Sequence, residues 1–198
     1  MSIVGIDPGA HGAIAIDQRR SLNGDGMSDR LILGVDIGVS GAIALLTERG
    51  QLVEAWPMPC LHDGPKNRRT INAPLLAELI YKTHAVHAFV ERVGPRPGEG
   101  AVGAFAFGDS AGVVRGVLAA AAIPMTLIAP PTWKRIIGIP PGKEGAKDAA
   151  RSQAIRRWPA KAGLFALKKS DGLAEAALIG LAGRQREATV PQQIEARL

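Results

Sequence analysis

Four acidic residues stand at positions where carboxylates could bind a divalent metal ion: Asp36, Glu91, Asp171 and Glu175. Asp36 ends the apolar run LILGVD, and Glu91 ends the alternating run AVHAFVE. A carboxylate at the end of a buried strand is unfavourable unless it is paired or binds a metal. The carboxyl ends of strands are also where open α/β sheets usually bind ligands. These two acids are therefore candidates for one site at the edge of a sheet.

Asp171 and Glu175 extend this acidic set from a predicted helix. They are four residues apart, so they lie on one face of the helix, where two like charges repel each other. A divalent cation would remove that repulsion, and four carboxylates without a cysteine cluster favour Mg²⁺ or Mn²⁺. Two such ions roughly 4 Å apart can activate a water and stabilise the leaving 3′-oxygen of a phosphodiester. The pattern therefore predicts phosphodiester hydrolysis.

Each acid also has a simpler structural interpretation. Asp36 could be a turn residue at the end of a strand, and Glu91 could pair with Arg92 or Arg96. Asp171 could cap the last helix. The hypothesis of a metal site therefore depends on the four acids taken together.

The elements that must position these acids are three early strands, followed by alternating helices and strands. Hydrophobic periodicity and turn residues predict a strand ending at Asp36, a hairpin of Gly41–Thr47 and Leu52–Trp56, and a polar loop containing Lys66–Arg69. The next predicted elements are a helix Pro74–His84 capped by Asn72, a strand Ala85–Glu91, a tightly packed small-residue helix Val102–Ala122 and a strand Ile123–Ile128. The last are helices that begin at Pro130, cover Lys147–Arg157 and cover Ser170–Arg184. This order predicts an α/β domain with a mixed sheet covered by helices.

A short repeat at the front of the chain makes the identity of the first acid ambiguous. IVGIDPGAHGAIAI at Ile3–Ile16 matches ILGVDIGVSGAIAL at Ile32–Leu45, so that Asp7 corresponds to Asp36. The second copy continues into the predicted hairpin, whereas the first runs into a polar, loop-like segment. We therefore predict an N-terminal extension over residues 1–29, a nuclease domain over 30–187 and a C-terminal tail over 188–198. The alternative is that Asp7 occupies the active strand.

Composition narrows the class of protein. The chain of 198 residues has a net charge of +6 and a pI near 9.9, which indicates a polyanionic partner without distinguishing DNA, RNA and membrane. The single Cys60 excludes an internal disulfide framework and favours a reducing setting. No stretch approaches the roughly 20 apolar residues of a membrane span, and the N-terminus lacks a basic leader. We therefore expect a cytoplasmic protein without a membrane partner.

The chain resembles the RuvC-type crossover junction endodeoxyribonucleases, the Holliday-junction resolvases, and especially their divergent phage-like branch. The matching segments occur in the family's order and are GVDIGVSGAIALL, WPMP, FVERVGPRPGEGAVGAFAFGDSAGVVRGVLAAAAIP, IAPPTWKRIIGIP with GKEGAKDAAR, and KKSDGLAEAALIG. The resemblance covers nearly all of residues 30 to 183. It implies a ribonuclease H-like fold with a mixed five-stranded sheet flanked by helices, two divalent metal ions, and homodimers that cut branched DNA.

The resemblance also assigns roles to the four acids. Asp36 matches the metal ligand of the first strand and Glu91 that of the fourth, while Glu175 matches the carboxylate before the small-residue helix run. Asp171 matches the helical acid that precedes it. Here these two helical acids are spaced i, i+4, whereas bacterial members of the family typically show i, i+3.

Basic residues are the expected DNA ligands. Lys143 and Lys147 resemble the family's residues that approach DNA phosphate, and Lys168 or Lys169 stands where the family has a basic group near the last helix. The residues that we predict to contact DNA are Arg96, Lys134, Lys143, Lys147, Arg151 and Lys169. Such phosphate contacts would position the DNA without reading its sequence.

Two further functions fit parts of the sequence. The first is a junction-binding relative whose catalysis has been lost. The second is an actin-like or sugar-kinase ATPase, because GVDIGVSGA also resembles the first phosphate loop of those proteins. They need two such domains and a much longer chain, so length argues against this second alternative.

Overall fold

The computed structural model of the protein describes residues 30–64, 68–94, 98, 100–140 and 146–195. The predicted N-terminal extension, with its duplicate motif and Asp7, lies outside the described residues. The predicted boundary between the domain and a C-terminal tail at residue 187 stays a prediction, although one helix continues across it.

Five strands come first in the described chain, helices and strands then alternate from Ala73 to Ile137, and two more long helices follow. The strands are β1 (Leu31–Asp36), β2 (Ala42–Thr47), β3 (Leu52–Pro57), β4 (Cys60–Gly64), β5 (Arg68–Ile71), β6 (His87–Glu91) and β7 (Met125–Ile128). The helices are α1 (Ala73–Thr83), α2 (Ala101–Ala120), α3 (Pro130–Ile137), α4 (Ala146–Arg157) and α5 (Asp171–Glu195), with 3₁₀ turns at Pro159–Phe165 and Lys168–Ser170. Asn72 caps α1 as predicted, since its Oδ1 accepts a hydrogen bond from the Leu75 amide at 3.1 Å.

Five strands form one mixed sheet in the order β3-β2-β1-β6-β7. β1 is antiparallel to β2 and parallel to β6, and β6 is parallel to β7. The predicted mixed five-stranded sheet flanked by helices is confirmed.

Two predictions of secondary structure were wrong, one about a loop and one about the end of the last helix. The segment expected to be a polar loop contains a separate hairpin, in which β4 and β5 pair through Cys60 with Ile71 and Leu61 with Thr70. Its residues are mostly polar and exposed, so they give no apolar alternation from which strands could be predicted. The last helix was expected to end near Arg184, but α5 continues to Glu195.

Alternate residues of β1 enter two different cores. Ile32 belongs to a cluster with the buried faces of α3, α4 and α5. Leu33 and Val35 belong to a second cluster with α1 and the C-terminal half of α2. Because side chains alternate across a strand, the sheet has an α5 face and an α1–α2 face.

The helix α5 lies against β1 with almost no space between the two backbones. A Cβ added to Gly34 would lie 2.1 Å from the carbonyl oxygen of Ala176 and 2.6 Å from the amide nitrogen of Gly180. Glycine at position 34 therefore allows a backbone contact that no other residue would permit. This contact fixes how α5 lies across the carboxyl end of β1.

The small-residue helix α2 is not tightly packed, contrary to the sequence-based expectation. Only Ser110, Ala111, Val114 and Leu118 are buried. Its 20 residues have a mean hydropathy of 1.3, so by length and composition alone α2 could cross a membrane, and the expectation that no stretch approaches such a span was wrong. Ala, Gly and Val reach this hydropathy without bulky side chains, while most of the helix surface remains accessible.

Candidate active site

Asp36 and Glu91 occupy adjacent positions on neighbouring parallel strands. The last paired residues of β1 and β6 are Val35 and Val90, and the two acids follow them directly. Since side chains alternate, Asp36 shares the α5 face with Gly34, and Glu91 shares it with the buried Phe89. Both acids are half-buried. The structure therefore brings these two predicted site residues to one edge and one face of the sheet.

The first turn of α5 begins at the same edge. A Cβ on Gly172 would lie 2.6 Å from the carbonyl oxygen of Ser40, in the turn between β1 and β2. The row of α5 that approaches the sheet is Gly172, Ala176 and Gly180. Asp171 and Glu175 each precede a member of this row by one residue and are half-buried. Both helical acids therefore lie beside the edge that carries Asp36.

The side chains of the four acids are not drawn together around a common point. Within the part of the chain that the structure describes, no three His, Cys, Asp or Glu side chains form a group that could hold a metal ion. Asp171 instead accepts a hydrogen bond from the Gly172 amide at 3.1 Å. The set still fits a hard cation in its chemistry, because all four groups are half-buried carboxylates at one edge of the sheet. The shared metal site stays a prediction.

Glu91 has a specific partner that the sequence reasoning missed. The indole Nε1 of Trp133 donates a hydrogen bond to Glu91 Oε1 at 2.9 Å. Trp133 is fully buried at the start of α3. A buried tryptophan needs an acceptor for its N–H, so the PPTWK segment carried a usable signal. The identity of that acceptor depended on the tertiary fold.

Two of the predicted DNA-binding lysines lie near this edge. Lys169 is exposed, two residues before Asp171. Lys134 follows Trp133, and its Nζ lies 5.3 Å from the centroid of the Trp133 ring. Both could reach a phosphate bound beside the acids.

The other predicted DNA-binding residues are less informative. Arg151 is 15% exposed in its side chain, forms an ion pair with Asp148, and donates from Nη1 to the Ala166 carbonyl at 3.3 Å. These partners support a structural role. Lys147 lies in the first turn of α4, while Arg96 and Lys143 lie outside the described residues. A DNA-binding role for each of the four stays a prediction.

A groove adjoins the β1–β2 turn on the α1–α2 face of the sheet. It has a volume of about 360 Å³ and is lined by the turn, by β5 and by the first half of α2. Arg68 and Arg69 line it together with Phe107, and Arg69 Nη2 donates to Ser40 Oγ at 3.0 Å. The groove thus places two guanidinium groups and an aromatic ring on the other side of the turn that follows Asp36. The β4–β5 hairpin that supplies these arginines was not predicted.

Comparison with known proteins supports the fold. No family model and no curated protein matches this sequence. RuvC from T. thermophilus, solved in complex with a Holliday junction substrate, matches with a TM-score of 0.51 and 14% identity, over 77% of this chain and 91% of that one. A second structure, of Thermus thermophilus RuvC, matches with a TM-score of 0.44 and 15% identity, over 77% of this chain and 92% of that one. At this identity the first match shows the fold alone: the chain has a ribonuclease H-like fold.

Proposed function

We propose that this protein is a magnesium-dependent endonuclease that cuts Holliday junctions or related branched DNA. One observation carries the proposal: Asp36 and Glu91 follow the last paired residues of two parallel strands, and the start of α5, which carries Asp171 and Glu175, lies beside the turn that follows Asp36. Four carboxylates at the carboxyl edge of an α/β sheet are a set of hard oxygen ligands. The similarity to RuvC from T. thermophilus, which was solved in complex with a Holliday junction substrate, supports the choice of branched DNA.

The proposed ligands of two Mg²⁺ ions are Asp36, Glu91, Asp171 and Glu175, and Mn²⁺ could substitute. When bound, the ions would supply Lewis acidity and lower the pKa of a coordinated water. In the reaction, a water oxygen forms a bond to phosphorus while the bond between phosphorus and the 3′-oxygen breaks. The water loses one proton and the 3′-oxygen gains one, which leaves a 5′-phosphate and a 3′-hydroxyl. The four half-buried carboxylates would hold the two ions in place.

Basic groups on both sides of the β1–β2 turn support DNA binding. Lys134 and Lys169 lie on the acidic side, and Arg68 and Arg69 line the groove on the other side. A strand that crosses the turn would contact both sets while its phosphate lies beside Asp36. The net charge of +6 favours such a partner.

The first test is Asp36→Asn. We expect this variant to bind a four-way DNA junction with unchanged affinity but to nick it at least about 100-fold more slowly in Mg²⁺, because loss of one metal ligand removes several kcal/mol of transition-state stabilisation. Nicking of a labelled junction and a gel-shift titration in Ca²⁺ measure the two quantities. Glu78→Gln is the matched control, since Glu78 is an exposed acid on α1 that pairs with Lys82.

Three other outcomes would contradict parts of this proposal. If Asp36→Asn nicks at the parental rate while Asp7→Asn does not, the first-strand acid is misassigned. Tight junction binding by the parental protein without nicking in Mg²⁺ or Mn²⁺ would support the binding-only alternative. If the parental protein prefers linear duplex DNA to the junction, the proposed substrate class is wrong.

A further inference from the structure

We propose that Trp133 is a positioning residue for Glu91, with its indole N–H holding the carboxylate in the orientation that binds metal. This inference rests on the proposed function and goes beyond it by assigning a role to a residue outside the acidic set. The observation behind it is the hydrogen bond of 2.9 Å from Trp133 Nε1 to Glu91 Oε1.

Strand pairing restrains the backbone around this hydrogen bond. Glu91 pairs with Ile128 in the sheet, and the Arg92 amide donates to the Ile128 carbonyl at 2.8 Å. α3 begins at Pro130, only two residues after β7 ends, and brings Trp133 back toward β6. The donor and the acceptor are thus carried by two directly paired strands and a short connection, which leaves little freedom in their separation.

The ring itself is also restrained. Trp133 is fully buried in the core on the α5 face, in the same cluster as Ile128 and Phe165. Lys134 places its ammonium 5.3 Å from the ring centroid, which adds a cation–π attraction. A tightly packed ring has few alternative rotamers, so its N–H is aimed at Glu91 before any ligand arrives.

The chemistry of an indole donor suits a ligand carboxylate. The indole Nε1 is a neutral donor that does not titrate in the physiological range. The indole can fix the rotation of the carboxylate through Oε1 and leave its negative charge in place. A lysine or arginine in the same position would instead neutralise that charge. In the proposed site, Oε2 would be the oxygen that binds the metal ion. Hydrogen bonds of this kind from outside the ligand set commonly orient metal ligands, and their loss costs about 10- to 100-fold in metal affinity.

The test compares two tryptophan variants of the full-length protein. Trp133→Phe keeps a buried aromatic ring and removes the N–H. Trp158→Phe is the matched control, because Trp158 is also buried and its Nε1 donates to the Gly50 carbonyl at 3.0 Å. Mn²⁺ affinity of the DNA-free protein is measured by titration calorimetry, with unfolding temperature and circular dichroism recorded for both variants.

We expect Trp133→Phe to bind Mn²⁺ about 10- to 100-fold more weakly, and to need correspondingly more Mg²⁺ for half-maximal nicking. Trp158→Phe should retain parental Mn²⁺ affinity even if it loses as much thermal stability. Parental Mn²⁺ affinity in Trp133→Phe, or an equal loss in both variants, overturns the positioning role and leaves the proposed function intact. Failure of the parental protein to nick DNA at any metal concentration instead removes the proposed function.

A second variant covers the case in which Trp133→Phe does not fold. Site-specific replacement of Trp133 by benzothienylalanine keeps the shape of the ring system and substitutes sulfur for the N–H. The same weakening of Mn²⁺ binding supports the proposal, and parental affinity overturns it.

Discussion

Arg151 could bind DNA phosphate or stabilise the fold, and these two roles require different environments for its side chain. A phosphate ligand must present its guanidinium to solvent, yet the side chain of Arg151 is only 15% exposed and pairs with Asp148. It also donates to the Ala166 carbonyl, just before the turn that leads into α5. Lys169, in contrast, is exposed at the same end of α5. These environments favour a structural role for Arg151 and a DNA-binding role for Lys169.

We expect Arg151→Ala to lower the unfolding temperature by about 2–4 °C, because losing one net hydrogen bond costs about 1 kcal/mol in a domain of this size. Its junction affinity should stay unchanged. Lys169→Ala should keep its stability while the slope of log affinity against log salt becomes shallower by about 1. Thermal unfolding and junction binding at several salt concentrations test both variants. A reversed pattern would restore Arg151 as a phosphate ligand.

The ion pair between Arg151 and Asp148 should make the stability of the protein depend on pH. The hydrogen bond from Arg151, together with the positive charge of its guanidinium, lowers the pKa of Asp148 below its ordinary value of 3.8. The charged pair therefore contributes to stability above that value, and the contribution is lost as the pH falls through the lowered pKa. The small difference in unfolding temperature between the parental protein and Arg151→Ala should accordingly narrow below about pH 4. A difference that widens on acidification would contradict this assignment.

At the scale of secondary-structure elements, the contact between β1 and α5 decides whether the helical acids reach the edge of the sheet. The backbones meet at Gly34, which faces the carbonyl oxygen of Ala176 and the amide of Gly180. Any side chain at position 34 must push α5 away from the strand. Because α5 carries Asp171 and Glu175, such a shift would also move half of the proposed site.

We expect Gly34→Ala to reduce the free energy of unfolding by at least about 1–3 kcal/mol, the usual cost of overpacking a core. Mn²⁺ affinity should fall as well. Gly163→Ala is the control, since nothing lies within 4 Å of a Cβ at position 163. Urea denaturation and Mn²⁺ titration measure the two effects. Unchanged stability in Gly34→Ala would show that the β1–α5 contact is looser than described.

The sequence predicted the elements that have strong local patterns and missed those that depend on distant partners. The runs LILGVD and AVHAFVE predicted strands that end at Asp36 and Glu91, and Asn72 indicated the start of α1. The β4–β5 hairpin was missed because its exposed polar residues lack apolar alternation. The expectation that α2 is tightly packed failed for a related reason. Small residues permit another element to pack closely against a helix, but they do not determine which element does so, or whether any does. The hydrogen bond between Trp133 and Glu91 joins residues far apart in the chain, so no local pattern could identify it.

At the scale of the whole molecule, α2 presents a face of mostly small and apolar residues, with the exposed Asp109 among them, that the described part of the chain does not cover. Gly108, Gly112 and Gly116 recur every four residues, and a Cβ at each would meet nothing within 4 Å. Phe105, on the same face, is 79% exposed. The buried residues Ala111 and Val114 lie on the opposite side of the helix. We propose that this face packs against the same face of a second copy, because a glycine row allows two helices to approach closely.

We expect Gly112→Leu to weaken self-association at least about 10-fold by holding the two helices apart, while circular dichroism remains unchanged. Ser152→Leu is the control, since it adds the same side chain at an exposed position of α4. Sedimentation equilibrium measures the dissociation constant. If the parental protein sediments as a monomer at micromolar concentrations, the proposed dimer is wrong.

The docking of α5 on β1 also determines when, during its own synthesis, the proposed nuclease could become active. Asp36 and Glu91 leave the ribosome before Asp171 and Glu175, which belong to the last helix that the structure describes. Until that helix has emerged, the nascent chain carries only half of its proposed ligands. Closing such a distant contact is among the slower events of folding. A nascent chain without α5 would therefore lack the proposed cutting activity, so nearby nucleic acid would not be cut until α5 has left the ribosome.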